Sequence, residues 1–134
     1  MKKFIPVLLW WIAFASFGWA QSGPSGTSCN ASIVYDASTN GSTRLVVAKQ
    51  TGPIYVCGYT LNSTANVQVK LIYGTGTTCG TGTTSLTPAY QLSPVVADPS
   101  PYFRGMFVPP GKDLCINTNA AQPVQATVYY SQLP

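Results

Sequence analysis

Four kinds of residue in this sequence have chemistry to offer: cysteines, aspartates, tyrosines and a glycine-rich run. The cysteines are Cys29, Cys57, Cys79 and Cys115. In an exported chain, four cysteines read as two disulfides. Zinc is the rival reading. It fails on spacing, because no C-x-x-C pair exists, and on the absence of histidine. Bridging also removes a cysteine nucleophile, which must be a free, activated thiolate.

The acidic side chains are Asp36, Asp98 and Asp113, and the chain has no glutamate. Without histidine, a Ser-His-Asp or Cys-His arrangement is impossible within one chain. A glycosidase needs only two carboxylates. Asp36 and Asp98 each fall in a turn signal, however, and Asp113 follows Lys112 in another. Asp36 reads as a turn cap rather than an acid. An enzyme would need these aspartates to converge in one cleft. The residues imply no enzyme, no cofactor and no metal.

The run Gly74-Thr-Gly-Thr-Thr-Cys79-Gly-Thr-Gly82 is reminiscent of a phosphate loop. It lacks the lysine and the following helix that give such loops their chemistry. It reads instead as a polar loop, residues 74–84, pinned by Cys79. The motifs at Asn30, Asn40 and Asn62 match the N-glycosylation pattern, but turn composition is the simpler account.

The eight tyrosines are a better lead. An exposed ring offers contact area and its hydroxyl a hydrogen bond, for stacking on sugars or for a partner interface. The candidates are Tyr55, Tyr59, Tyr102, Tyr129 and Tyr130. Tyr55 and Tyr59 share strand parity with Cys57 and Leu61, against Ile54, Val56 and Gly58. One of these faces is core, and parity alone does not choose. An ordinary half-buried strand position is the competing reading for each tyrosine.

The elements that must position these residues come next. Residues 1–20 have the form of a signal peptide. Lys2 and Lys3 precede an apolar run over 4–17, and Gly18-Trp19-Ala20 places small residues at a peptidase site. Cleavage is expected after Ala20. A retained anchor is the alternative, but a span needs ~20 apolar residues and this run is shorter. Membrane contact is expected only through this segment, before cleavage. The formal charge of +4 owes half its value to those two lysines. The other basic residues, Arg44, Lys49, Lys70, Arg104 and Lys112, are scattered. That is no nucleic-acid footprint, which needs clustered basic residues.

Residues 21–28 are rich in Gly, Ser, Thr and Pro and read as a flexible leader. Residues 29–134 then form one domain. Short strands are expected near 33–35, 44–48, 54–61, 67–73, 102–108, 114–116 and 124–130. One or two more fall within 86–96, where Pro88 and Pro94 favour an edge. Asn40-Gly41 is the expected tip of the first turn. Val67, Val69 and Leu71 alternate with Gln68 and Lys70, which is the period of a half-buried strand. No stretch beyond the leader has a helical period. Seven or eight short antiparallel strands with turns between them predict an all-β sandwich, jelly-roll-like or Ig-like.

An eight-stranded jelly-roll order makes the expectation specific. Strand 33–35 then runs parallel to 54–61, two places away in one sheet. Strand 67–73 lies beside 112–118 in the other. Four cysteines allow three pairings, and this order favours Cys29–Cys57 and Cys79–Cys115.

Tyr55-Val-Cys-Gly-Tyr59, the Gly74–Gly82 run, Pro101-Tyr-Phe-Arg-Gly105, Leu114-Cys115 and the stretch 124–130 occur in this order. The pattern resembles a family of small four-cysteine proteins found in tailed-phage genomes and in bacterial genomes carrying phage-like DNA. It covers most of the mature chain, roughly residues 29–132. The resemblance implies a virion-associated or surface-displayed β-sandwich, a head-decoration or fibre-like module, often trimeric. It implies no catalytic residue. The signal peptide departs from an ordinary virion protein, which assembles in the cytoplasm. It points to a periplasmic, extracellular or surface location. Two functions are therefore expected. The first is a non-enzymatic structural or adhesive module that self-associates or binds another surface or virion protein. The second is a secreted carbohydrate- or receptor-binding domain that uses the tyrosines and the Gly/Thr loop.

Overall fold

A computed structural model describes residues 29–94, 105–132 and 134. The expected signal peptide (1–20) and leader (21–28), Asp98 and Tyr102 lie outside the described residues. The described strands are β1 (Ala31–Ala37), β2 (Gly41–Val46), β3 (Ile54–Ser63), β4 (Val67–Thr75), β5 (Thr81–Ser85), β6 (Tyr90–Leu92), β7 (Met106–Val108), β8 (Asp113–Thr118) and β9 (Val124–Gln132).

They form two antiparallel sheets. One has the order β1-β9-β3-β7. The other runs β2-β8-β4-β5, with β6 also pairing β4. This is the jelly-roll order. β1 and β3 both run antiparallel to β9. They are therefore parallel to each other and two places apart, and β4 lies against β8 as expected. Both disulfides follow the expected pairing, Cys29–Cys57 and Cys79–Cys115.

The strand total reaches nine because one edge of β4 is shared. β5 pairs Ile72–Thr75 and β6 pairs Val67–Val69. Between them the chain bows outward at Leu86 and Thr87. The Leu71 N–H donates to the Thr87 hydroxyl at 3.0 Å, and the Leu86 N–H donates to the Leu71 carbonyl at 2.9 Å. A side chain thus fills the gap in the ladder, and Pro88, which has no N–H, follows where the strand breaks.

The core follows from alternation. Val67, Val69 and Leu71 of β4 point inward, as do Leu114 and Ile116 of β8 and Val124, Ala126 and Val128 of β9, all nearly inaccessible. β3 does not keep one parity. Its register with β9 shifts between Val56 and Gly58. Ile54 and Val56 are buried before the shift and Leu61 after it, with Tyr59 packed against the core. One extra residue, Cys57, moves the inward face from even to odd positions.

Two sequence expectations change. Thr81–Ser85 is an edge strand rather than loop, and the connection between β4 and β5 shortens to residues 76–80. All five residues of β5 are exposed, so it is polar as predicted. Its threonines nonetheless suit a pleated backbone, and β4 offers it a free edge. Asp36 is not a turn cap. It lies within β1, paired in register with Gln125.

Candidate functional site

The glycine-rich connection closes on itself. Ile72, Cys79 and Cys115 form a small buried cluster on the outer side of the five-stranded sheet. Gly74 is what lets the connection fold back onto it. A Cβ at this position would collide with the Cys79 carbonyl oxygen. The Cys79 N–H donates to Gly76 at 3.0 Å, and the Thr75 hydroxyl donates to the Thr81 carbonyl at 3.1 Å. The Thr83 hydroxyl donates to the Cys79 carbonyl. These groups are spent within the connection.

The aspartates do not converge among the described residues. Asp113 begins β8, where its carboxylate accepts the Ala48 N–H at 2.6 Å and meets Arg44 at 3.4 Å. It ties the end of β2 to β8. Asp36 lies in the other sheet, exposed, and accepts a bond from Gln125 Nε2 at 3.3 Å. Among the described residues no three potential metal ligands cluster.

The tyrosines divide between the two faces of the four-stranded sheet. Tyr59 and Tyr130 pack against the core. The Tyr59 hydroxyl is 2.6 Å from the Tyr90 hydroxyl, across the sandwich on β6. Tyr55 and Tyr129 point outward. Tyr55 lies opposite Phe107 of β7, and the two rings meet edge to face with centroids 5.6 Å apart. Phe107 is 47% exposed and Tyr129 45%. The Cys29–Cys57 bridge ties the chain just before β1 to β3. Ser131, opposite Tyr55, is buried on this side, and its hydroxyl has no partner among the described residues.

Further along the same face lies a shallow depression of about 240 Å³. Val34 and Asp36 of β1, Thr60 and Asn62 of β3, and Gln125 and Thr127 of β9 line it. They occupy two adjacent rows of the ladder, Val34–Thr127–Thr60 and Asp36–Gln125–Asn62. Val34 is 69% exposed. Tyr129 stands two residues beyond Thr127 on the same face. One outer surface thus carries an aromatic end and a polar end. Of the sequence candidates Tyr55 and Tyr129 lie on this surface, whereas Phe107 and the polar residues were not singled out. The signal lay in β9, where Gln125 and Thr127 alternate with the buried Val124, Ala126 and Val128.

Comparison with known protein families, with curated proteins and with solved structures finds no match.

Proposed function

We propose that this protein is a non-enzymatic, exported structural or adhesive module, and that it works through the outer face of its four-stranded sheet. One observation carries the reading. Of the four large hydrophobic side chains that stand exposed among the described residues, Val34, Phe107 and Tyr129 share this face. They lie on three different strands of it, with Tyr55 against Phe107, and exposed aromatic side chains suit a partner interface. The two disulfides accord with an oxidising, exported compartment. The resemblance to phage-type four-cysteine modules supports a partner on a virion or cell surface. Asp113 is occupied by structural contacts, and Asp36 has no second carboxylate near it among the described residues.

The polar depression favours glycan binding as a second reading. A carboxylate, two side-chain amides and two threonine hydroxyls beside an exposed tyrosine ring suit sugar hydroxyls and a sugar face.

The test presents the labelled domain to a glycan array and to intact bacterial cells, beside the variants Phe107→Ala, Tyr129→Ala and Gln125→Ala. The contact-face reading expects cell binding that falls at least about tenfold in the aromatic variants, the equivalent of ~1.4 kcal/mol. Array binding that also requires Gln125 selects the glycan reading. Binding that survives all three substitutions refutes the assignment of this face.

A further inference from the structure

The edges of the two sheets are not alike. β7 has three residues and is followed by Pro109 and Pro110. β5 is polar throughout and contains Gly82, and β6 has three residues between Pro88 and Pro94. β2 carries Arg44, and its pairing with β8 slips between Arg44 and Val46. Each of these devices blunts an edge against further pairing.

β1 has only one of them, the charge of Asp36 near its end. It runs seven residues, pairs β9 without a register shift and contains no proline, lysine, arginine or glycine. β9 is its sole ladder neighbour among the described strands. In an antiparallel ladder, alternate residues direct N–H and C=O away from the partner strand. Those groups on β1 therefore have no backbone partner among the described residues. The edge also carries Val34, the most exposed large hydrophobic residue described.

We infer that β1 pairs with β1 of a second copy of this chain, antiparallel across a two-fold axis centred on Val34. The two four-stranded sheets then become one continuous eight-stranded sheet. The sequence of β1 is self-complementary in this register. Val34 faces Val34 of the second copy and is covered by it. On the inward side Ile33 faces Tyr35, and Ala31 faces Ala37. On the outward side Ser32 faces Asp36, a hydroxyl opposite a carboxylate. Centring on Asp36 would set two carboxylates against each other, which like-charge repulsion opposes. Centring on Val34 works whichever alternate set of backbone groups points outward, because residues 33 and 35 share one parity and 34 pairs with itself. A two-fold contact closes on itself. It predicts a dimer rather than the trimer that the phage resemblance implies. The inference goes beyond the surface-contact reading and stands without it, because its test reads mass and not binding.

The experiment measures the native mass of the purified, oxidised domain by light scattering and native mass spectrometry. The wild type is compared with Val34→Lys and with Val47→Lys, an exposed position just beyond β2 in the other sheet. Lysine is the residue that edges use against pairing, and Val34 is exposed enough in the monomer to accept it. Far-ultraviolet circular dichroism and a count of free thiols check that both variants are folded and bridged. The expected result is a wild-type mass twice that of the subunit, halved in folded Val34→Lys and unchanged in Val47→Lys. A wild-type monomer or trimer overturns the inference, and so does a dimer that persists in folded Val34→Lys. If Val34→Lys is misfolded, Ser32→Asp, which sets like charges opposite Asp36 of the second copy, replaces it under the same criteria.

Discussion

The hydroxyls of Tyr59 and Tyr90 meet at 2.6 Å, joining β3 of one sheet to β6 of the other. Their rings are also close, with centroids 6.0 Å apart and planes tilted by 49°. β6 is a three-residue strand with a proline close to each end, so this contact helps hold a weak edge onto the sandwich. Tyr59→Phe keeps the ring and removes the bond. It is expected to lower unfolding free energy by about 0.5–1.5 kcal/mol. Tyr90→Phe should cost a similar amount, and the double variant should cost less than the two together. Urea unfolding of the three variants checks this. Additive losses would mean that the two hydroxyls act separately.

The two disulfides differ in access. Cys79 and Cys115 are fully buried beside Ile72, while Cys29 and Cys57 are half-buried. Exchange requires a thiolate to reach a sulfur. Limited reduction followed by alkylation and peptide mass analysis should label Cys29 and Cys57 first. Complete reduction should lower the melting temperature markedly, since each bridge contributes about 2–4 kcal/mol. An unchanged melting temperature in fully reduced protein would contradict the stapling role.

Gly74 allows the connection to return over the second bridge. Its missing side chain leaves room for the Cys79 carbonyl, and the contacts that a Cβ would meet are backbone atoms. Backbone cannot swing aside as a flexible side chain can. Gly74→Ala is expected to cost about 1–3 kcal/mol, the range for overpacking. Gly76→Ala makes a useful contrast. A Cβ there meets nothing, but its φ of 88° strains any L side chain. Hydrogen exchange should separate the two. Gly74→Ala should loosen the amides of β4 and β5, and Gly76→Ala should act only within the connection.

Thr87 substitutes for a strand residue beside Leu71. Its hydroxyl accepts a buried backbone N–H at 3.0 Å and donates to the Pro88 carbonyl at 3.0 Å. Thr87→Val keeps the shape and leaves the Leu71 N–H without an acceptor. The expected loss is about 1–3 kcal/mol, with faster hydrogen exchange at Leu71. Thr87→Ser retains the hydroxyl and should recover most of the loss.

The sandwich was legible where one face of a strand is buried and the other is wet. Val67, Val69 and Leu71 disclose β4, and Val124, Ala126 and Val128 disclose β9, because a period of two has one physical cause. β3 was not legible in this way. Cys57 adds a residue to the strand, and the alternation that would have sorted Tyr55 from Tyr59 changes phase at that point. β5 was hidden for a different reason. A strand with both faces exposed shows no alternation, so its pairing comes from the free edge of β4. The Tyr59–Tyr90 bond and the depression between Asp36 and Asn62 bring together residues far apart in sequence. Only the strand order supplies such contacts, and Gln125 and Thr127 were the one local hint of the second.

Tyr129 and Tyr130 are neighbours in β9 that point to opposite faces. Tyr130 packs against the core and Tyr129 is exposed. Tyr130→Ser should therefore cost more than about 1 kcal/mol, since it removes apolar contact area from the interior. Tyr129→Ser should change unfolding free energy by no more than ~0.5 kcal/mol, as surface substitutions do. Paired denaturation curves measure the difference directly. A near-neutral Tyr129→Ser leaves its ring free to meet a partner, which the contact-face reading requires. If instead Tyr129→Ser is as costly as Tyr130→Ser, the ring is engaged within the folded domain, and the outer face loses its central aromatic side chain as a docking surface.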